Sequence, residues 1–353
     1  MKRWLVTTTF LLCSLFLLLV WSSYSPAQDQ TLNLYIWSEY IDPEIVTDFT
    51  EKTGKRVVVS LYESNEDMVA KLQGGGVSQY DVVVPSDYIV PTMVELDLLQ
   101  PLDKSQLPNF ANLGAKYIDL SFDPGNTYTL PYQLGTTGLG YRKDKLPENF
   151  PVSWSLIFEP EQQVGPFTLI DDQRSMISSA AVYLGFKPNT TKPEELRQIQ
   201  DLMLETKRRS AGFIGGVGGK NQLLSGTANV AVVYSGDTLQ ASQENPNVGY
   251  LLPQEGCNIW MDTMAIPAQA PHPELAHEFI NYILDPEVGA KLSNYNRFPT
   301  PNTAALPMIN QEDRNNPAIY PDDELLDKLF YSTVLTAEEQ QLIDALWTNI
   351  KSG

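Results

Sequence analysis

The sequence predicts an α/β protein of two lobes, and three observations carry that expectation. Short apolar runs alternate with helical segments along the chain, the pattern of a sheet covered by helices. Several runs end in clusters of polar and aromatic residues, as strands do where open α/β sheets hold ligands. An export segment of 27 residues leaves 326 of the 353, a length that favours two cores over one.

The export reading rests on Lys2 and Arg3, the nearly unbroken apolar stretch Leu5 to Trp21, and Ser25-Pro26-Ala27 as a small-residue cleavage pattern. An uncleaved membrane anchor is the alternative, although the stretch falls slightly short of the ~20 residues a spanning helix needs. Cys13 lies inside this run without the small residues that precede a lipid attachment site. Its removal leaves Cys257 alone, so an internal disulfide is excluded and stability must come from burial. Removing two positive charges takes the net charge from −19 to −21. Such a chain is a poor partner for nucleic acid and is compatible with a cationic ligand, although acidic surfaces also serve solubility.

The first strand, Leu32 to Tyr40, ends in Trp37-Ser38-Glu39-Tyr40. Asp42 then caps a helix with Pro43 at its first position, Ile45, Val46 and Phe49 on its apolar stripe and Gly54 at its end. Arg56 to Tyr62 is a second strand. Ser64 opens the next helix, which carries Met68, Val69 and Leu72 inward and closes at Gly74-Gly75-Gly76. Asp81 to Pro85 reads as a buried parallel strand delivering Ser86-Asp87-Tyr88. A right-handed βαβαβ unit therefore places Trp37 to Tyr40 and Ser86 to Tyr88 along one sheet edge.

The second half repeats this logic. Phe167 to Ile170 is a strand ending in Asp171-Asp172, followed by a helix from about Ser175 to Leu184. Thr191 begins a long helix through Lys207, the glycine-rich segment 211–219 precedes a short helix around Gln222 to Leu224, and Asn229 to Tyr234 is a strand ending in Ser235-Gly236-Asp237. Cys257 to Asp262 approaches as a strand with Trp260 and Asp262 on one face. Three or four helices follow, with Tyr295 to Asn302 as an irregular link.

Aromatic faces beside carboxylates suit an organic cation, because rings attract positive charge and cover methylenes while carboxylates accept from ammonium groups. Catalytic patterns are weaker. His272 and His277 read as solvated, Cys257 as a small core residue, and the glycine groups lack the order of a phosphate-binding loop. No Gly-x-Ser-x-Gly elbow occurs. No cofactor and no metal site is expected.

Tyr35-Ile36-Trp37-Ser38-Glu39-Tyr40, Tyr62-Glu63-Ser64-Asn65-Glu66, Val83-Val84-Pro85-Ser86, Leu130-Pro131-Tyr132, Gly135-Thr136-Thr137-Gly138, Trp260-Met261-Asp262 and Pro299-Thr300-Pro301-Asn302 resemble bacterial spermidine/putrescine-binding proteins. These are the periplasmic substrate-binding subunits of polyamine ABC importers. The resemblance runs in order from about residue 31 nearly to the C-terminus. It implies a type II periplasmic binding fold, each lobe a mixed sheet flanked by helices, hinged near Gly135 and Asp262 to Met264. The implied lobes are 28–134 with 263–305, and 135–262 with 306–353. It further implies a monomer that takes a polyamine and passes it to membrane permease subunits, without enzymatic activity. Carried over by motif position, the ligand-binding residues are Trp37, Ser38, Glu39, Tyr40, Ser86, Tyr88, Asp172, Tyr234, Trp260, Asp262, Phe298 and Tyr331.

Departures bear on selectivity. Ser175 stands where some members carry a glutamate, Tyr234 where tryptophan is common, Phe298 where tyrosine is common, and Tyr331 at a glutamine position. One carboxylate fewer weakens the case for a three-amine ligand and strengthens that for a diamine. Other readings stay open: Trp37 and Trp260 as packing between lobes, Ser38 and Ser86 as positioning or capping groups, and Asp87 as either a pocket charge or a helix cap. The whole cleft also admits another solute such as ferric ion, or a secreted enzyme's substrate.

Overall fold

The computed structural model describes residues 31–321 and 323–353, so the export segment 1–27 lies outside the described residues. The ten strands among the described residues are β1 (Thr31–Trp37), β2 (Arg56–Tyr62), β3 (Val82–Val83), β4 (Thr129–Arg142), β5 (Phe167–Ile170), β6 (Phe213–Ile214), β7 (Val230–Tyr234), β8 (Val248–Leu251), β9 (Cys257–Ala265) and β10 (Leu329–Phe330). They join in the order β2-β1-β3-β9-β4-β7-β5-β6, with β8 on β4 and β10 on β9.

Local chemistry explains the element boundaries in the first half. Asp42 accepts from the Glu44 amide and Pro43 starts the helix Pro43–Thr53, which Gly54 closes. Ser64 accepts from the Asp67 amide at the head of Asn65–Gln73. Each cap satisfies an amide that the helix itself leaves without a partner. β1 then pairs in parallel with β2 on one side and β3 on the other.

The two long strands make the crossing between lobes. Residues 129–136 of β4 pair antiparallel with β9, whereas 137–142 pair with β7 and β8. β9 reaches β3 at Ala265 and β10 at Cys257. Each strand thus runs from one hydrophobic core to the other. The first core gathers Leu32, Leu34, Ile45, Phe49, Leu130, Phe279 and Leu292. The second gathers Trp154, Phe167, Met176, Ile199, Met203 and Leu346. Full burial of side chains of this size contributes about 1.5–3 kcal/mol each.

The second half departs from sequence expectation in several places. The helix expected from Ser175 begins at Gln173, with Asp172 as its N-cap. The glycine-rich segment is itself helical over Gly216–Ser225. A Cβ on Gly216 would lie 2.7 Å from the Tyr234 ring and 2.8 Å from an Asp237 oxygen, so close approach rather than a loop demands glycine there. His277 is buried, not solvated: its Nε2 accepts from the Asp103 amide at 2.9 Å. Segment 306–320, expected with the C-terminal lobe, packs instead on the first one. Ile309 and Tyr320 lie against Ala290 and Ala305, and the Asn310 amide donates to Asn294 at 2.9 Å. The final helix, Ala337–Ser352, joins the second core through Ile343, Leu346 and Ile350, and Leu329 and Leu335 pack against that core as well.

Candidate functional site

The carboxyl ends of the parallel strands β1, β2, β3, β5 and β6, together with the end of β7, converge on one cleft. Counting the space open to solvent, it measures about 820 Å³. β1 delivers Trp37, Ser38 and Tyr40; the turn after β2 delivers Glu63 to Glu66; β3 delivers Ser86 and Tyr88. From the opposite side come Ile170 to Asp172 with Arg174 and Ser175, then Gly215 to Val217, then Tyr234 and Asp237. The crossing strand β9 contributes Asn258, Trp260 and Asp262 at strand period, every second residue facing the cleft.

Aromatic rings build the apolar wall. Trp260 meets Tyr234 edge-on at 5.4 Å and Phe298 at 5.4 Å, and Tyr40 meets Phe298 edge-on at 5.2 Å. Trp260 fits only because position 135 has no side chain: a Cβ on Gly135 would lie 2.3 Å from the indole. Its Nε1 is buried with no hydrogen-bond partner, an unusual state for an indole N–H. Trp37 instead donates through Nε1 to the Val84 carbonyl at 3.0 Å and tilts over Tyr62 at 4.6 Å. Its ring is therefore both wall and packing element.

The charge in the cleft is mostly negative. Asp262 is 4% exposed and its Oδ1 accepts from the Ser86 hydroxyl at 2.6 Å. Burial pushes its pKa up to about 7, against the pull of the Ser86 and Tyr40 hydroxyls. Asp237 is also pushed to about 7, by burial first and by Glu39 and Glu63, with Lys220 pulling the other way. Behind the wall, burial and the neighbouring Asp262 raise Asp87 to about 8. Glu66 is raised by burial and by Asp172. Asp172 is engaged by the Ser175 amide and hydroxyl, at 3.0 and 2.7 Å, and by the Tyr234 hydroxyl at 3.2 Å. A buried carboxylate without a cation is costly, so these residues are poised to accept one.

The two sides touch across the cleft. The Arg174 guanidinium stacks over Tyr88 at 5.4 Å, and Lys220 is paired with Glu39.

Ten of the twelve residues expected at the site line the cleft: Trp37, Ser38, Tyr40, Ser86, Tyr88, Asp172, Tyr234, Trp260, Asp262 and Phe298. Glu39 does not. It turns to Lys220, in a left-handed backbone conformation with φ 53°. Tyr331 does not either; it is 46% exposed, and its neighbour Ser332 lines the cleft instead. Ser38 donates to Glu63 rather than to Glu39, while Ser86 does position an acid, Asp262. Asp171 pairs with Lys351 at 2.6 Å, in keeping with a structural role. Glu63, Asn65, Glu66, Arg174, Asp237 and Asn258 were not anticipated. Asn258 was legible from the spacing that singled out Trp260 and Asp262, and Asp237 from its place just after β7. Among the described residues no group of three or more His, Cys, Asp or Glu is placed to hold a metal ion, and no helix is long and apolar enough to cross a membrane.

Comparison with known proteins agrees with this architecture. A sequence model described as bacterial extracellular solute-binding protein matches residues 44–319. The chain is 38% identical over 351 residues to the putrescine-binding periplasmic protein SpuD of Pseudomonas aeruginosa (strain UCBPP-PA14), with 93% of each chain covered. It is 35% identical over 326 residues to the spermidine/putrescine-binding periplasmic protein of Escherichia coli (strain K12), with 92% of each covered. A crystal structure of the spermidine/putrescine ABC transporter substrate-binding protein PotD from Streptococcus pneumoniae superposes with a TM-score of 0.76 at 31% identity, covering 92% of this chain and 99% of that one. The Tp0655 (TpPotD) lipoprotein of Treponema pallidum gives a TM-score of 0.81 at 27% identity, covering 92% and 100%. The expected two-lobed periplasmic binding fold is thereby borne out, and the chain belongs to the family of bacterial extracellular solute-binding proteins.

Proposed function

We propose that this protein captures a polyamine, putrescine or spermidine, in the interlobe cleft and delivers it to the permease subunits of an ABC-type importer. The observation that carries this reading is the buried Asp262 carboxyl set among Tyr40, Trp260 and Phe298, with further acids along the cleft. An ammonium group supplies the charge those acids lack, and the rings cover the methylenes between ammonium groups. The names of relatives at 35–38% identity support the same ligand class.

In this reading Trp37, Tyr40, Tyr88, Tyr234, Trp260 and Phe298 form the wall, and Asp172, Asp237 and Asp262 take the amines. Ser86 orients Asp262. The lobes divide near Gly135 and near Asp262 to Met264, with 306–320 on the N-terminal lobe and the last helix on the other. Ligand touches both lobes only when they close, so it shifts the population toward the closed form that docks on the transporter. The protein acts as a periplasmic monomer after loss of residues 1–27, and it binds without turning its ligand over.

Isothermal titration calorimetry of the refolded, dialysed mature protein tests this, since refolding removes any amine carried through purification. Saturable one-to-one binding of putrescine or spermidine at micromolar concentration or below is expected. Silence toward every amine, or retention of a ferric chelate alone, overturns it.

A further inference from the structure

Glu39 and Lys220 lie 181 positions apart in the chain and meet across the cleft. The Lys220 side chain is only 5% exposed, whereas that of Glu39 is 45% exposed. Lys220 Nζ also donates to Gln240 Oε1 at 2.9 Å, so the ammonium is fixed by two partners rather than lying loosely on the surface. Glu39 reaches it from a left-handed backbone conformation, φ 53°, which a glutamate adopts only at a cost. Lys220 and Glu39 do not line the cleft but flank it: Glu39 stands between Ser38 and Tyr40, and Lys220 lies one helical turn after Gly216. Ser38, Tyr40 and Gly216 line it, as does Asp237, which feels both charges. The acids that influence one another around Glu66 and Asp172 form a separate group.

We infer that Lys220 is a specificity-determining residue: a protein ammonium that engages Glu39 beside the cleft and so favours ligands with two ammonium groups over ligands with three. This inference rests on the polyamine reading above. A diamine is served by Asp262 and one acidic group. A third ammonium must be placed near the Lys220 charge, with Glu39 already engaged. The Lys220 side chain is 5% exposed and poorly screened, so a further ammonium beside it is repelled, and discrimination by an unfavourable charge is a common route to specificity. Because Lys220 and Glu39 come from opposite sides, the pair also favours closure. That role acts on every ligand alike, so only a ratio of affinities isolates the selective one.

The test measures putrescine and spermidine binding by calorimetry for wild type, Lys220→Met, Lys220→Arg and Glu39→Gln/Lys220→Met. Lys220→Met is expected to raise the spermidine-to-putrescine affinity ratio at least tenfold. Lys220→Arg keeps the wild-type ratio, and adding Glu39→Gln cancels the gain. Lys220→Gln, which removes the charge but keeps a polar end, carries the same expectation where Lys220→Met does not fold. A ratio unchanged by loss of the charge, with both affinities falling together, makes the pair a closure contact alone and overturns the inference. Wild type that binds neither amine removes the polyamine reading itself and the inference with it, a result distinct from an unchanged ratio.

Discussion

Asp262→Asn probes the centre of the cleft and predicts a change in both affinity and pH dependence. The replacement is nearly isosteric, and the Ser86 hydroxyl that donates to Oδ1 at 2.6 Å still finds an acceptor, so the lobe is expected to stay folded. Loss of a charge-assisted contact costs about 1.5–3 kcal/mol, or roughly tenfold to a hundredfold in affinity. The pH dependence follows from burial, which raises Asp262 to about 7. An alkyl ammonium, like lysine with a pKa of about 10, stays charged below pH 8. Only the ionised carboxyl pairs with it, so binding weakens as pH falls through 7. The reduction factor is about 1.1 at pH 8 and about 33 at pH 5.5 for one such group, a thirtyfold span. Asp237 lies in the same range and adds its own slope, so the diagnostic is the difference between variant and wild type. Titration calorimetry at pH 5.5, 7 and 8, in buffers of different ionisation enthalpy, counts the protons released on binding. The reasoning is refuted if Asp262→Asn keeps both the wild-type affinity and the wild-type pH profile.

Four further outcomes are expected. The ligand-free protein loses stability as pH rises from about 5 to 8. Asp87, Asp237 and Asp262, raised to about 8, 7 and 7, bind protons in the native state that the unfolded chain has released. Their contribution is fully present below about pH 4 and is lost as pH rises through the native values, a trend that urea midpoints at pH 5 and 8 will read. Saturating putrescine at 100 times its dissociation constant stabilises the fold by about 2.7 kcal/mol, visible as a rise in Tm that Asp262→Asn diminishes. Gly135→Ala brings a methyl group to 2.3 Å from Trp260, so the indole is displaced and binding weakens; ligand-induced change in tryptophan fluorescence should fall with it. Burial raises the Cys257 thiol well above its ordinary pKa, so a thiol reagent should label it only in denaturant.

The parts of the fold written in local chemistry were legible in the sequence. Asp42 and Ser64 cap helices because their side chains reach amides two or three residues on, and the strands that end at Trp37, Ile170 and Tyr234 carry apolar runs of strand length. What stayed hidden depends on partners distant in the chain. Glycine at 216, 218 and 219 reads as a loop, yet packing against β7 imposes a helix there, tertiary contact overriding weak local preference. Glu39 stands in the right motif but is claimed by Lys220, which no spacing rule connects to it. Tyr331 falls in a stretch with few motifs to fix the register, and the chain there presents Ser332 to the cleft instead. Asp172 lines the cleft, but its role as the cap of Gln173–Tyr183 is visible only with the start of that helix.

That double role has a consequence for how the site works. Asp172 is held by three donors, so its carboxyl is fixed in position. Asp262, held by Ser86 and raised by burial to about 7, carries its proton over much of the neutral range. An arriving ammonium therefore meets one acid fixed in place by its hydrogen bonds and another that ionises as it is paired. The second step couples binding to proton release and adds attraction only once the lobes have closed and excluded water, where a charge pair is strongest. Binding energy is thereby concentrated in the closed state, which is what a ligand must do to shift an equilibrium between open and closed forms. A carboxyl ionised in both forms attracts the ligand in both and shifts the balance less. The raised acids, which make the empty protein less stable near neutral pH, are in this view the groups that make closure depend on the ligand.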